Sequence, residues 1–253
     1  MFRNRRLWIP LCALFWLCVW QLASMRIGEE ILLVSPLAAA ARLWEMLREP
    51  SFWSTAGFSM ARIMGGFLLS LAAGSALAAL AYRFGAVYVL LAPLISAVKS
   101  VPVASYTILC LIFLSTRSLS LIITFLMTLP VVYEALLEGL RQTDAKLLEM
   151  ASVFRIAPLH RLRYIYIPQT LPYLVSVIGV GVGIAWKSGV AAEVIGLPQG
   201  AIGSRLYEAK ITLDMRNLFA WTIAVMLLCY FLEKLIRFLI RRAARALERG
   251  RAL

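Results

Sequence analysis

Six apolar runs dominate this chain: Leu7–Met25, Ile63–Tyr82, Ala86–Leu114, Ser118–Leu137, Thr170–Ala192 and Leu218–Ile240. A helix rises about 1.5 Å per residue, so about 20 apolar residues span a hydrocarbon core roughly 30 Å thick. With 62% hydrophobic and 15% charged residues, 253 residues cannot cover a soluble surface. Inside lipid every backbone N–H and C=O needs an internal partner, which leaves helices for runs of this length. The expected fold is therefore all-α, a polytopic transmembrane helical bundle of about six spans. The third run carries Pro93, Lys99 and Pro102 and is predicted to be kinked or broken. The first run follows a basic start and superficially looks like a secretory signal. It is too long, too rich in Trp and lacks a small-residue cleavage site, so it reads as a retained span.

The net charge of +13 does not point to nucleic acid, because the basic residues sit between apolar runs and form no continuous face. They act as topology signals instead. Placing the N-terminus in the cytoplasm puts 16 of the 26 Lys and Arg residues inside and 7 outside, with Arg62, Lys99 and Lys187 in or beside spans. Both termini are expected in the cytoplasm of a plasma-membrane, multi-pass protein, consistent with an even number of crossings. Cys12, Cys18, Cys110 and Cys229 lie in apolar stretches and His160 is the single histidine, so neither a disulfide nor a metal site is expected.

Ser35 followed by Pro36 predicts the start of a helix over Ser35–Leu47, with Leu37, Ala40, Trp44 and Leu47 on its apolar face. Gly66, Ser70, Gly74 and Ala78 recur every fourth residue on the second span, and Gly179 and Gly183 repeat that spacing on the fifth. Small residues on one face allow close backbone approach in lipid. Spacing does not say whether the contact lies within one chain or between two. Lys99 and Lys187 are ammonium groups within apolar runs, which face a cavity or a partner. Either they line a transport path and favour an anion, or they are structural, paired with a carboxylate such as Glu193 or snorkelling.

The most informative segment is 142–168, between the fourth and fifth spans. Thr143 or Asp144 can cap a short helix with Lys146 and Glu149 exposed, and Leu147, Leu148, Met150, Ala151 and Phe154 available for packing. Pro158 disfavours helix at Ala157 and imposes a turn before a second basic and aromatic stretch, Leu159–Ile167, which ends at Pro168. Such a helix–turn–helix fits a groove on another protein or the surface of anionic lipid.

Glu149-Met150-Ala151 followed by Ile165-Tyr166-Ile167-Pro168 resembles the EAA loop of ATP-binding-cassette (ABC) importer permeases. Ser59-Met60-Ala61-Arg62, with Gly66-Phe67 beyond it, is similar to the opening of the permease core of the nitrate/sulfonate/taurine type. Lys99-Ser100-Val101-Pro102, Ala185-Trp186 and Glu193 fall where that type places a Pro kink, an Ala-Trp pair and a Glu. The likeness covers roughly Ser35 to Glu233. Two departures mark a divergent branch: Met150 replaces an alanine, and Arg155 stands at the loop's usual glycine, where it lacks glycine's easy access to positive φ. The expected consequence is a differently shaped turn.

The resemblance implies a type I ABC importer permease fold with cytoplasmic coupling helices, working as a permease homodimer with an ABC ATPase subunit and an extracytoplasmic solute-binding protein. It divides the chain into an N-terminal span and linker (1–34), a permease core (35–240) and a basic tail (241–253). It assigns ATPase coupling to Asp144, Leu147, Leu148, Glu149, Met150, Ala151, Val153, Phe154, Arg155 and Pro168. The candidate translocation-path residues are Lys99, Ser100, Ser105, Tyr106, Trp186, Lys187 and Glu193; the lysines favour an anion, whereas Trp186, Tyr106 and Ser105 equally suit an aromatic or heterocyclic compound. The chain has no G-x-x-x-x-G-K-[ST] phosphate loop, so no cofactor is expected on it and ATP belongs to the partner. The rivals are a gradient-driven secondary transporter, for which Glu193 is the one serious relay candidate, and an integral-membrane enzyme, for which the acids Glu134, Glu138, Asp144 and Glu149 lie on the loop side.

Overall fold

A computed structural model describes residues 5–249. Its helices are α1 (Arg5–Ile27), α2 (Pro36–Leu47), α3 (Pro50–Arg83), α4 (Gly85–Ser100), α5 (Val103–Phe113), α6 (Thr116–Arg141), α7 (Ala145–Val153), α8 (Pro158–Arg161), α9 (Ile167–Gly196), α10 (Ile202–Ile211) and α11 (Met215–Arg249). Among the described residues, five helices are long and apolar enough to cross a bilayer, or six spans if the bent pair α4–α5 counts as one. That pair bends by 104° at Val101–Pro102. The proline drives Val101 into extended backbone, and so the third apolar run becomes two short helices.

The centre of the bundle is α3, α6 and α9. The Gly66–Ser70–Gly74 stripe is buried against α6 of the same chain. Thr128 Oγ1 on α6 donates to Ser70 Oγ at 2.7 Å, and Ser70 donates to the Phe67 carbonyl at 2.8 Å. On α9 the packing residues differ from the expected Gly179 and Gly183. Gly183 faces open space and Gly179 makes room for the Arg237 guanidinium of α11. The tight positions are Gly181 against Phe67 and Gly189 against Ile63 and Thr124, with fully buried Ala185 between them. Both sets obey a four-residue period, and only the neighbouring helices select one.

Ser35 Oγ accepts from the Ala38 amide at 3.2 Å and starts α2 as expected. The face it buries is Ala39, Leu43 and Met46, while Leu37 and Trp44 of the expected stripe are exposed. A 12-residue helix with so few charges carries two apolar stripes, so its period is ambiguous. Arg42 anchors α2 to the start of α11 through Asn217 at 2.7 Å. Helix α1 is peripheral: its Trp20 Nε1 donates to the Val34 carbonyl and Ser24 Oγ to that of Leu33. Helices α2 and α10 lie at the end of the bundle opposite α7.

Candidate functional site

Helix α7 begins at Asp144, whose carboxylate accepts from the Lys146 amide at 2.8 Å. The Asp144 amide donates to Gln169 Oε1 at 2.8 Å, which ties the start of α7 to the first turn of α9. At its other end the Ile156 amide reaches the Ala151 carbonyl at 2.9 Å and the Arg155 amide reaches that of Ser152 at 3.1 Å. This is a Schellman turn, and it places Arg155 in the left-handed region at φ 49°. Arg155 thus adopts the left-handed backbone conformation that a glycine takes up easily. Arg161 closes the turn by donating to the Ala151 carbonyl at 3.0 Å and the Ile156 carbonyl at 2.8 Å.

A side chain with a Cβ is strained there by about 1–2 kcal/mol, part of which glycine's larger unfolded-state entropy offsets. Arg155→Gly is therefore expected to slow amide exchange at Ile156 by up to about fivefold, equivalent to about 1 kcal/mol. Faster exchange in hydrogen–deuterium measurements would mean that the Arg155 side chain itself holds the turn.

The second stretch differs from expectation. It is not a separate helix ending at Pro168; α8 runs through a π-helical turn, Leu162–Tyr166, directly into α9. Pro168 follows directly on that turn, and the wider π geometry accommodates the clash and the missing N–H that a proline brings to a helix interior. Pro172 also sits inside α9.

The loop residues separate by exposure. Ala151 is fully buried and Leu148 is half-buried, whereas Leu147, Glu149, Met150 and Arg155 are exposed. Among the apolar ones Val153 and Phe154 project most, at 79% and 74% exposure. A short, capped and clamped helix therefore presents an apolar ridge beyond the end of α6. Arg161 and Gln169, which fix its geometry, carry no signal in the sequence beyond their charge and polarity.

The expected path residues do not form one surface. Lys99, at the end of α4, bonds both carboxylate oxygens of Glu134 on α6 at 2.8 Å. Lys99 and Lys187 also border a common groove of about 380 Å³ with Val103, Pro130 and Ser188. Lys187 makes no hydrogen bond or ion pair among the described residues, and neither lysine pairs with Glu193. Ser100 and Ser105 are exposed, and Tyr106 packs beside Leu119 and Ile123. None of these three borders that groove.

Trp186 and Glu193 are 1% and 0% exposed and lie in the packed interior. Glu193 Oε2 accepts from Ser59 Oγ at 2.7 Å and from the Gly203 amide at 3.3 Å, and Ser59 Oγ accepts from the Ile202 amide at 2.9 Å. This knot joins α3, α9 and the N-terminus of α10. Trp186 Nε1 and Glu193 Oε1 have no hydrogen-bond partner among the described residues.

The family profile described as "binding-protein-dependent transport system inner membrane component" matches residues 66–245, which include α6, the whole loop and α9. This chain belongs to that family. It is an ABC importer permease of the nitrate/sulfonate type and a multi-pass membrane protein. The permease is 24% identical to a putative aliphatic sulfonates transport permease, SsuC, of Bacillus subtilis over 89% of this chain and 82% of that protein. It is 24% identical to the nitrate import permease NrtB of Synechococcus elongatus over 78% of this chain and 74% of the relative. A bicarbonate transport system permease, CmpB, of the same organism is 22% identical over 79% and 76%.

Proposed function

We propose that this permease forms the translocation path of an ATP-driven importer, with α7 as the helix that docks into a separate ABC ATPase subunit. The observation that carries this reading is the presentation of α7. Its apolar ridge of Leu147, Met150, Val153 and Phe154 lies outside the bundle, while Asp144–Gln169 and the Arg161 clamp tie its ends to α9. A partner that seized the ridge would move α6 and α9 as one body rather than merely distort a loop. The loop end is then cytoplasmic, as are both termini. The end carrying α2 and α10 meets an extracytoplasmic solute-binding protein, and two copies enclose the path. ATP is bound and hydrolysed by the partner, and this chain contributes mechanical coupling.

The groove beside Lys187 supports a small anion as cargo. Two ammonium groups border it and no carboxylate does. The names of the relatives point the same way, since nitrate, bicarbonate and aliphatic sulfonates are all anions.

The test is purification of the tagged permease from its host in mild detergent, with co-purifying subunits identified by mass spectrometry. Wild type is expected to bring down a P-loop ATPase in stoichiometric amount. Phe154→Asp, at a position 74% exposed, is expected to lose that partner while the permease elutes as the wild type does. Buried interface aromatics are typically worth at least about 2 kcal/mol, and a carboxylate facing an apolar groove adds a desolvation penalty. A wild-type permease that purifies alone would overturn the reading.

A further inference from the structure

Lys99 belongs to two grooves at once. On one side it faces Glu134 in a groove of about 320 Å³ that also holds Tyr133, Glu138 and Arg141. On the other it borders the groove shared with Lys187 and Ser188. The charge is balanced on the first side, where Lys99 and Arg141 stand with Glu134 and Glu138. There Gln142 Nε2 donates to Glu138 at 2.8 Å and the Arg141 guanidinium lies 4.4 Å from the centre of the Tyr88 ring. On the second side two ammonium groups border a space that no carboxylate enters.

We propose that Glu134 is a specificity-determining residue of the anion path, holding Lys99 as a resident counter-ion until a substrate anion beside Lys187 takes its place. This inference rests on the anion reading of the Lys187 groove. Lys99 sits in the last turn of α4, two residues before the bend at Val101–Pro102, on a flexible four-carbon stem. Its head can turn from one groove to the other without movement of a helix. The pair is half-exposed, with side chains at 51% and 47%, and an ion pair of that kind exchanges readily. Bringing Lys99 towards Lys187 sets two like charges together, which is unfavourable unless an anion lies between them. A neutral solute offers no such compensation and leaves Lys99 on Glu134. The carboxylate so released lies two helical turns before Arg141, the end of the helix that leads to Asp144 and the loop. Cargo charge is thereby registered on the helix that feeds α7.

The chain has five lysines, Lys99, Lys146, Lys187, Lys210 and Lys234, so ¹⁵Nζ-lysine labelling gives a spectrum of five signals. The full chain is reconstituted in bilayers and studied by solid-state NMR, with Lys99→Arg and Lys187→Arg samples assigning the two signals. Methanesulfonate, nitrate and bicarbonate serve as probe anions, each titrated separately. Without a probe, Lys99 Nζ is expected to show a dipolar contact to the Glu134 side-chain carboxyl carbon. Saturation with an accepted anion is expected to abolish that contact and shift Lys187. In Glu134→Gln, which removes the competing charge, the half-saturating anion concentration is expected to fall by up to about fivefold. If Lys187 shifts while the Lys99–Glu134 contact persists, the counter-ion role is overturned and the anion path stands. An unchanged half-saturation in Glu134→Gln overturns the counter-ion role in the same way. If neither signal responds to any of the three probes, the anion path itself falls, and the inference with it.

Discussion

Gly66→Ala is expected to abolish accumulation of folded permease, whereas Gly65→Ala, one residue away, should be tolerated. A Cβ at Gly66 would lie 2.2 Å from the Leu121 carbonyl oxygen and 3.0 Å from Thr124 Cβ. The first of these is backbone of α6, which cannot rotate aside, so relief requires separation of the two helices. Separation would also strain the Thr128–Ser70 bond one turn further along. Overpacking of a well-fitted interface costs about 1–3 kcal/mol when side chains can adjust. Here they cannot, and the loss is expected to exceed about 3 kcal/mol. At Gly65 the nearest atom is a leucine methyl at 3.5 Å, an ordinary contact. Alanine there also gains about 1 kcal/mol of helix propensity. Thermal melts by fluorescence-detected size exclusion separate the two variants. Equal behaviour would mean that the α3–α6 contact is not the one described.

Glu193 separates a structural role from a relay. Glu193→Leu is expected to leave Ser59 Oγ and the Gly203 amide without their acceptor in a packed interior. Each stranded group costs about 1–3 kcal/mol, so the total is about 2–6 kcal/mol. Glu193→Gln keeps an acceptor oxygen for the same donors and should lose no more than about 1 kcal/mol. Uptake in the native host should follow stability: lost with leucine, retained with glutamine. A gradient-driven carrier that uses this carboxylate as its relay predicts the opposite for glutamine, a folded protein without transport. That second result would return the secondary-transporter reading to the lead.

The loop shows how far sequence reasoning reaches. A cap at Thr143 or Asp144 follows from polar residues before an apolar-periodic stretch, and the helix forms there with Asp144 as its cap. The turn after the helix is less legible at Arg155, because propensity argues from the residue alone. Two backbone hydrogen bonds and the Arg161 clamp hold Arg155 in a conformation that it does not favour by itself. In the same way, Pro168 suggests a stop because proline ends most helices. A π turn lets the helix continue through it into α9.

Sequence alone determined the all-helical fold, the number of apolar runs, the interruption of the third run, the position of α7 and the likeness that leads to an importer permease. These depend on composition and on periods of a few residues, which are local and therefore readable in one dimension. Tertiary structure decided which of two equivalent small-residue stripes on α9 packs and which face of α2 is buried. It also placed Trp186 and Glu193 in the packed interior and paired Lys99 with Glu134 rather than Glu193. In each case the deciding atom belongs to a helix distant in sequence. A glycine, an apolar face or a charge does not carry the identity of its partner, and only the packing of α3, α6 and α9 supplies it.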